Sequence, residues 1–157
     1  MEKTNAMRQL DQKKIKYEVI EYDHEDGVAV DGINVAKETG YDPNQVFKTL
    51  VTKASDKKNY VFCVPVSTEL DLKKCAKAVS VKSLEMIAVK ELLPLTGYVR
   101  GGCSPIGMKK SFITVMDDSA LNYDFVLFSG GKIGLQIKMN PRELSKLIRI
   151  DFKDIKE

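Results

Sequence analysis

The sequence has a single histidine, His24, and only three cysteines, Cys63, Cys75 and Cys103, none close to another. An odd, widely spaced set argues against a disulfide framework and points to a reducing, cytoplasmic compartment. Neither C-x-x-C nor H-x-x-x-H spacing occurs, so a zinc site is not expected, and no other cofactor motif is present. The stretches G-x-S-x-G, G-x-x-x-x-G-K-[ST] and G-x-G-x-x-G are also missing, which removes support for a hydrolase elbow, a P-loop and a dinucleotide fold. No apolar run approaches the ~18–20 residues of a membrane span. The amphipathic opening MEKTNAMRQLDQKKIKY does not read as a secretory leader.

Charge is equally undemonstrative. The formal net charge is +3, from 25 Lys+Arg against 22 Asp+Glu, too mild to announce a nucleic-acid binder. Local doublets carry more information: Lys57–Lys58, Lys73–Lys74 with Lys77, and Lys109–Lys110 can each hold phosphates or simply face solvent.

What is present reads as one α+β domain over residues 1–157, with enough apolar mass for a real core. A helix is expected over 4–14 behind Thr4, a strand over 17–22, and a short helix over 33–40 ending at Gly40. Two β-rich runs flanking SDKKN predict a hairpin within 46–66, and Asp71 caps a helix over 72–79. Residues 81–96 are ambiguous, a short strand and then a helix broken by Pro94. Strands are expected at 111–118, 124–129 and 133–139, the last two joined by GGK as a second hairpin. Asn140 and Pro141 mark a helix start, and RIDF a last strand.

Few residues suit chemistry. His24 sits in an acidic loop, where histidines are seldom catalytic bases. Cys63 and Cys75 fall on apolar faces and read as core. Strand alternation puts Lys48 with Val46 and Leu50, so it either snorkels at an edge or lines a pocket. Gly101–Gly102 permits positive φ and close approach of backbone to a ligand, or forms a plain tight turn; SGGKIG at 129–134 has the same double meaning.

Taken in order, VFKTLV (46–51), LDLKKCAKAV (70–79), TGYVRGGCSPIGMKK (96–110) and SGGKIGLQI (129–137) resemble the YbaK/EbsC family. These are freestanding aminoacyl-tRNA editing domains related to the insertion domain of bacterial prolyl-tRNA synthetase, and the nearest branch comprises Cys-tRNA(Pro)/Cys-tRNA(Cys) deacylases. The resemblance covers essentially the whole chain. It implies a barrel-like mixed sheet flanked by helices, and a deacylase that breaks the ester of a mischarged aminoacyl-tRNA without a cofactor. The family's essential lysine falls on Lys48, and a pocket tyrosine on Tyr22. Thr49 follows the lysine, Gly101 and Gly102 line the substrate end, and Ser129 precedes the second diglycine. Where the branch commonly has an acid, this sequence has Gln136, whose amide offers only a carbonyl acceptor to the substrate ammonium. The resemblance further implies that the substrate's own thiol attacks its ester, and that prolyl-tRNA synthetase is a partner. Two alternatives stay open: a deacylase for another residue, such as Ala-tRNA(Pro), and a non-catalytic aminoacyl-tRNA or small-ligand binding module.

Overall fold

Thr4 starts the first helix: its hydroxyl oxygen accepts the Met7 N–H, and α1 (Asn5–Gln12) then removes Ala6, Met7 and Leu10 from water. The computed structural model describes residues 2–157. After β1 (Glu18–Glu21), Asp31 caps α2 (Gly32–Thr39) by accepting from the Asn34 N–H, and Gly40 ends it in the left-handed region. The expected hairpin forms from β2 (Phe47–Ala54) and β3 (Asn59–Pro65), in register from Phe47 opposite Pro65 to Lys53 opposite Asn59. Asp71 accepts from the Lys73 and Lys74 N–H groups at the head of α3 (Leu72–Ala78).

The ambiguous stretch resolves into β4 (Leu84–Met86) and α4 (Val89–Thr96), which continues through Pro94. The proline deprives only Lys90 of an N–H partner, and Lys90 is exposed. Next come β5 (Ile113–Asp117), a 3-10 turn at Asp118–Asn122, then β6 (Val126–Ser129) and β7 (Leu135–Met139). Asn140 caps as expected, but Pro141–Lys146 winds as a 3-10 helix before β8 (Ile150–Lys153). The cap and the leading proline suit either winding. The early return of the chain into β8 leaves only six residues for the helix.

The strands form two sheets. One is antiparallel, in the order β1-β7-β6; the other runs β4-β2-β3-β5-β8, with β3–β5 and β5–β8 parallel. The α+β expectation of mixed sheet and helices holds, but the strands do not close into a barrel. The five-stranded sheet is covered on both faces. Phe47, Val51, Val61, Cys63 and Met116 pack with Met7, Leu10, Phe128 and Ile137, whereas Phe62, Val64 and Val115 pack with Cys75, Ala76 and Ile155. Phe62 and Phe128 are completely buried, each worth roughly 1.5–3 kcal/mol of transfer free energy. The two sheets meet where Val46 bridges Leu127 and the Gln45 carbonyl accepts the Leu127 N–H at 2.8 Å. That junction positions the site.

Candidate active site

Because β2 begins against β6, the first residues of β2 face the ends of β6, β7 and β1. Ser129 stands opposite Gln136 in the β6–β7 pair, and Gln136 opposite Ile20 in β1. Just past β1, the Tyr22 N–H donates to the Gly134 carbonyl at 2.9 Å. These crossings surround an open cavity of about 550 Å³. Of the residues singled out in the sequence, Tyr22, Lys48, Thr49, Gly101, Ser129 and Gln136 line it, together with Cys103.

Gly102 is not in the wall. A side chain there would meet the backbone of Lys132 and Ile133 at 3.1–3.2 Å, so its smallness seats the 99–102 turn on the 129–134 turn. Gly101 combines φ +85° with close approach: an added Cβ would lie 2.7 Å from the Cβ of Ala29.

Lys48 stands opposite Val64 on the β2 face shared with Val46 and Leu50, with its side chain 28% exposed. Its Nζ is 3.4 Å from a Glu69 carboxylate oxygen. Thr49 points to the other face, where its hydroxyl is 3.7 Å from Cys63 Sγ. The Ser129 hydroxyl oxygen accepts the Gly131 N–H at 3.2 Å and so stiffens the diglycine turn.

Gln136 is only 6% exposed, and its Oε1 has no hydrogen-bond partner among the described residues. An orphaned buried acceptor costs about 1–3 kcal/mol. Such an oxygen beside a cavity is free to accept from a ligand donor.

A protein nucleophile is hard to find. Burial pushes the Cys103 thiol up to about 12, against a smaller opposing effect of Thr96, and burial does the same to Cys63. Both are therefore neutral thiols at pH 7, unlike reactive cysteines. Ser104 is fully buried, and its hydroxyl oxygen accepts the Ile106 N–H at 3.4 Å, a turn-shaping contact. His24 lies outside this cavity, exposed, with its ring against Gly134 and Nδ1 3.0 Å from the Glu25 carbonyl oxygen. Cys75 is core, as expected.

Sequence reasoning missed Arg100 and the segment 29–32. Asp31 is committed to capping, accepting from the Asn34 backbone and side-chain amides at 3.0 and 2.7 Å. Nothing in the pattern of 25–32 marks a cavity wall; Arg100, immediately before the diglycine, was legible by position. Among the described residues no group of three or more His, Cys, Asp or Glu side chains is placed to hold a metal ion, and no helix is long and apolar enough to cross a membrane.

The family pattern described as aminoacyl-tRNA editing domain matches residues 29–147. A protein of Enterococcus faecalis named EbsC, a candidate Cys-tRNA(Pro)/Cys-tRNA(Cys) deacylase, is 42% identical over 155 residues, 98% of this chain and 93% of that protein. Among solved structures, a candidate trans-editing enzyme for prolyl-tRNA synthetase superposes with a TM-score of 0.84 at 25% identity, covering 100% of this chain and 99% of that one. A hypothetical protein at 18% identity also reaches 0.84 over 98% of this chain and 100% of its own, a likeness of fold alone.

Proposed function

The chain belongs to the aminoacyl-tRNA editing domain family, and on that premise we propose that it is a trans-editing deacylase that removes cysteine from mischarged tRNA(Pro). One observation carries the mechanism: among the described residues, the cavity presents Lys48 and an unpartnered acceptor, but no nucleophile paired with a base.

An aminoacyl ester is already activated, so positioning and stabilisation of the developing oxyanion supply most of what the reaction needs. The Lys48 ammonium neutralises charge at the RNA terminus and the ester. Gln136 Oε1 accepts from the substrate α-ammonium, and the Gly101 backbone with Ser129, Thr49 and Tyr22 walls the amino-acid end, while Gly102 seats that wall from behind. The substrate's thiolate then attacks its own ester carbonyl. The new S–C bond forms as the C–O bond to the terminal ribose breaks, and the thiol proton ends on the released ribose hydroxyl. The products are a small cyclic thiolactone and uncharged tRNA. No protein nucleophile, metal or redox partner enters this balance.

Recognition of which tRNA carries the error falls outside so small a pocket. Prolyl-tRNA synthetase, alone or with tRNA, is the partner that would supply it, in the cytoplasm where translation occurs. The decisive experiment is a deacylation panel of Cys-tRNA(Pro), Cys-tRNA(Cys), Ser-tRNA and Ala-tRNA(Pro). Fast loss of cysteine with Ser-tRNA resistant supports the thiol route. Preferred loss of alanine assigns a water-dependent deacylase instead, and binding without turnover assigns a non-catalytic module.

A further inference from the structure

The cavity is lined by two cations, and they differ in one respect. Lys48 faces Glu69, whereas Arg100 is exposed and has no hydrogen-bond or ion-pair partner among the described residues. We propose that Arg100, alongside Lys48, is a phosphate contact for the RNA 3′ end, and that the lysine doublets do not serve this purpose. The inference rests on the aminoacyl-tRNA reading of the cavity.

The geometry favours Arg100 on two counts. It occupies the second position of a turn closed by the Gly102 N–H donating to the Val99 carbonyl at 2.9 Å, with Gly101 at φ +85° in the third. That turn is wedged between Ala29 and the 132–133 backbone, so the Arg100 backbone is held at the cavity while its guanidinium remains unclaimed. An ester on the terminal ribose puts the last phosphodiester one ribose away from the reacting carbon. A rim guanidinium can take that phosphate through two parallel N–H bonds.

The doublets lie elsewhere. Lys57 and Lys58 are on the turn joining β2 to β3, at the end of β2 away from Lys48 and roughly 20 Å from it along the strand. Lys74 is held by Asp154 and by the Lys156 carbonyl. Lys109 packs beside Gly97, and Lys110 lines a separate cavity of about 100 Å³ near Gln9 and Leu147. None of these lysines lines the site.

The test measures KM for Cys-tRNA(Pro) as a function of salt between about 50 and 200 mM for the wild-type chain, R100Q, R100K and K57Q/K58Q. The turn position tolerates most residues, and a matching far-UV spectrum confirms that R100Q folds. Losing one single-strand phosphate contact reduces the slope of log KM against log salt by about 0.7. R100Q is expected to show that reduction, with KM raised roughly three- to tenfold at low salt. R100K is expected to keep the slope but bind more weakly, because a point charge replaces the fork. K57Q/K58Q is expected to match wild type. An unchanged slope in R100Q, or a reduced slope in K57Q/K58Q, overturns the assignment while leaving the deacylase function standing. A wild-type chain that neither binds nor deacylates Cys-tRNA(Pro) overturns the function itself, and Arg100 with it.

Discussion

The Lys48 ammonium lies 3.4 Å from a Glu69 carboxylate oxygen, and Glu69 is held in turn by the end of the chain. The Glu157 N–H donates to the Glu69 carbonyl, and Leu70 bridges Lys156. An incoming anionic terminus therefore competes with Glu69 for Lys48. Lys48→Ala is expected to abolish deacylation, because nothing else in the cavity offers an ammonium at that point. Glu69→Gln should lower KM instead. With Glu69 75% exposed, the pair is weak and screened, so the gain is at most about threefold and fades with salt. A rise in KM for Glu69→Gln, not rescued by Glu69→Asp, would show that the acid positions Lys48 rather than competing for it.

The pH–rate profile separates the substrate's thiol from the protein's. Burial pushes Cys103 and Cys63 to about 12, so neither supplies appreciable thiolate at physiological pH. A cysteinyl ester carries a thiol at or below the ordinary value of about 8.5, because its own α-ammonium favours the thiolate. Deacylation of Cys-tRNA(Pro) should thus rise with pH and level off at or below that value rather than near 12. Cys103→Ala should retain most of the wild-type rate with the same profile. An inert Cys103→Ala enzyme that still folds would place the nucleophile on the protein.

Gln136 sets stability against function. Its Oε1 is buried without a partner among the described residues, so Gln136→Leu removes an unsatisfied acceptor and should stabilise the fold, by about 1 kcal/mol. The same substitution removes the acceptor for the substrate ammonium and should raise KM roughly tenfold. Gln136→Glu should bind the ammonium more tightly at neutral pH, through a charge-assisted bond. Thermal melts and Michaelis curves on the two variants check both halves. A Gln136→Leu enzyme with unaltered KM would remove Gln136 from substrate recognition.

Local structure was largely legible because it is written locally. Thr4 and Asp71 cap helices that begin immediately after them, Gly40 ends one, and alternation along VFKTLV correctly puts Lys48 and Thr49 on opposite faces. Pairing was not legible. That β3 runs parallel to β5, and β5 to β8, depends on contacts across 53 and 36 residues, which no window of sequence reports. The junction of Val46 with Leu127 has the same origin, yet it is what brings Lys48 toward Ser129 and Gln136. Segment 29–32 enters the wall because Gly101 lacks a side chain where Ala29 approaches, a relationship between two distant small residues that carries no periodic signal.

The C-terminal strap depends on one buried acid. Asp117 has a side chain with no exposure; it accepts the Ile155 N–H at 3.0 Å, the Ser119 N–H at 3.1 Å and the Lys156 ammonium at 3.1 Å. Burial opposes its ionisation, but these donors outweigh burial and hold its pKa below the ordinary value, while Lys156 is raised chiefly by its bond to Asp117. The unfolded carboxyl titrates near about 3.9, so the stabilisation is fully present above that pH. It is lost as pH falls through the lower folded value, and stability between pH 5 and 8 should be flat with respect to this group. Asp117→Asn leaves Lys156 facing a neutral amide, which costs about 3 kcal/mol and lowers Tm by roughly 5–10 °C at neutral pH. Melting curves of the two proteins should draw together as the pH falls below the lowered folded value, where the wild-type carboxylate is also neutralised. Since residues 155–157 pair with 69–71, the variant should also loosen Glu69, and its KM should move in the direction of Glu69→Gln. A Tm difference that persists undiminished at low pH would mean that Asp117 acts by packing rather than by charge.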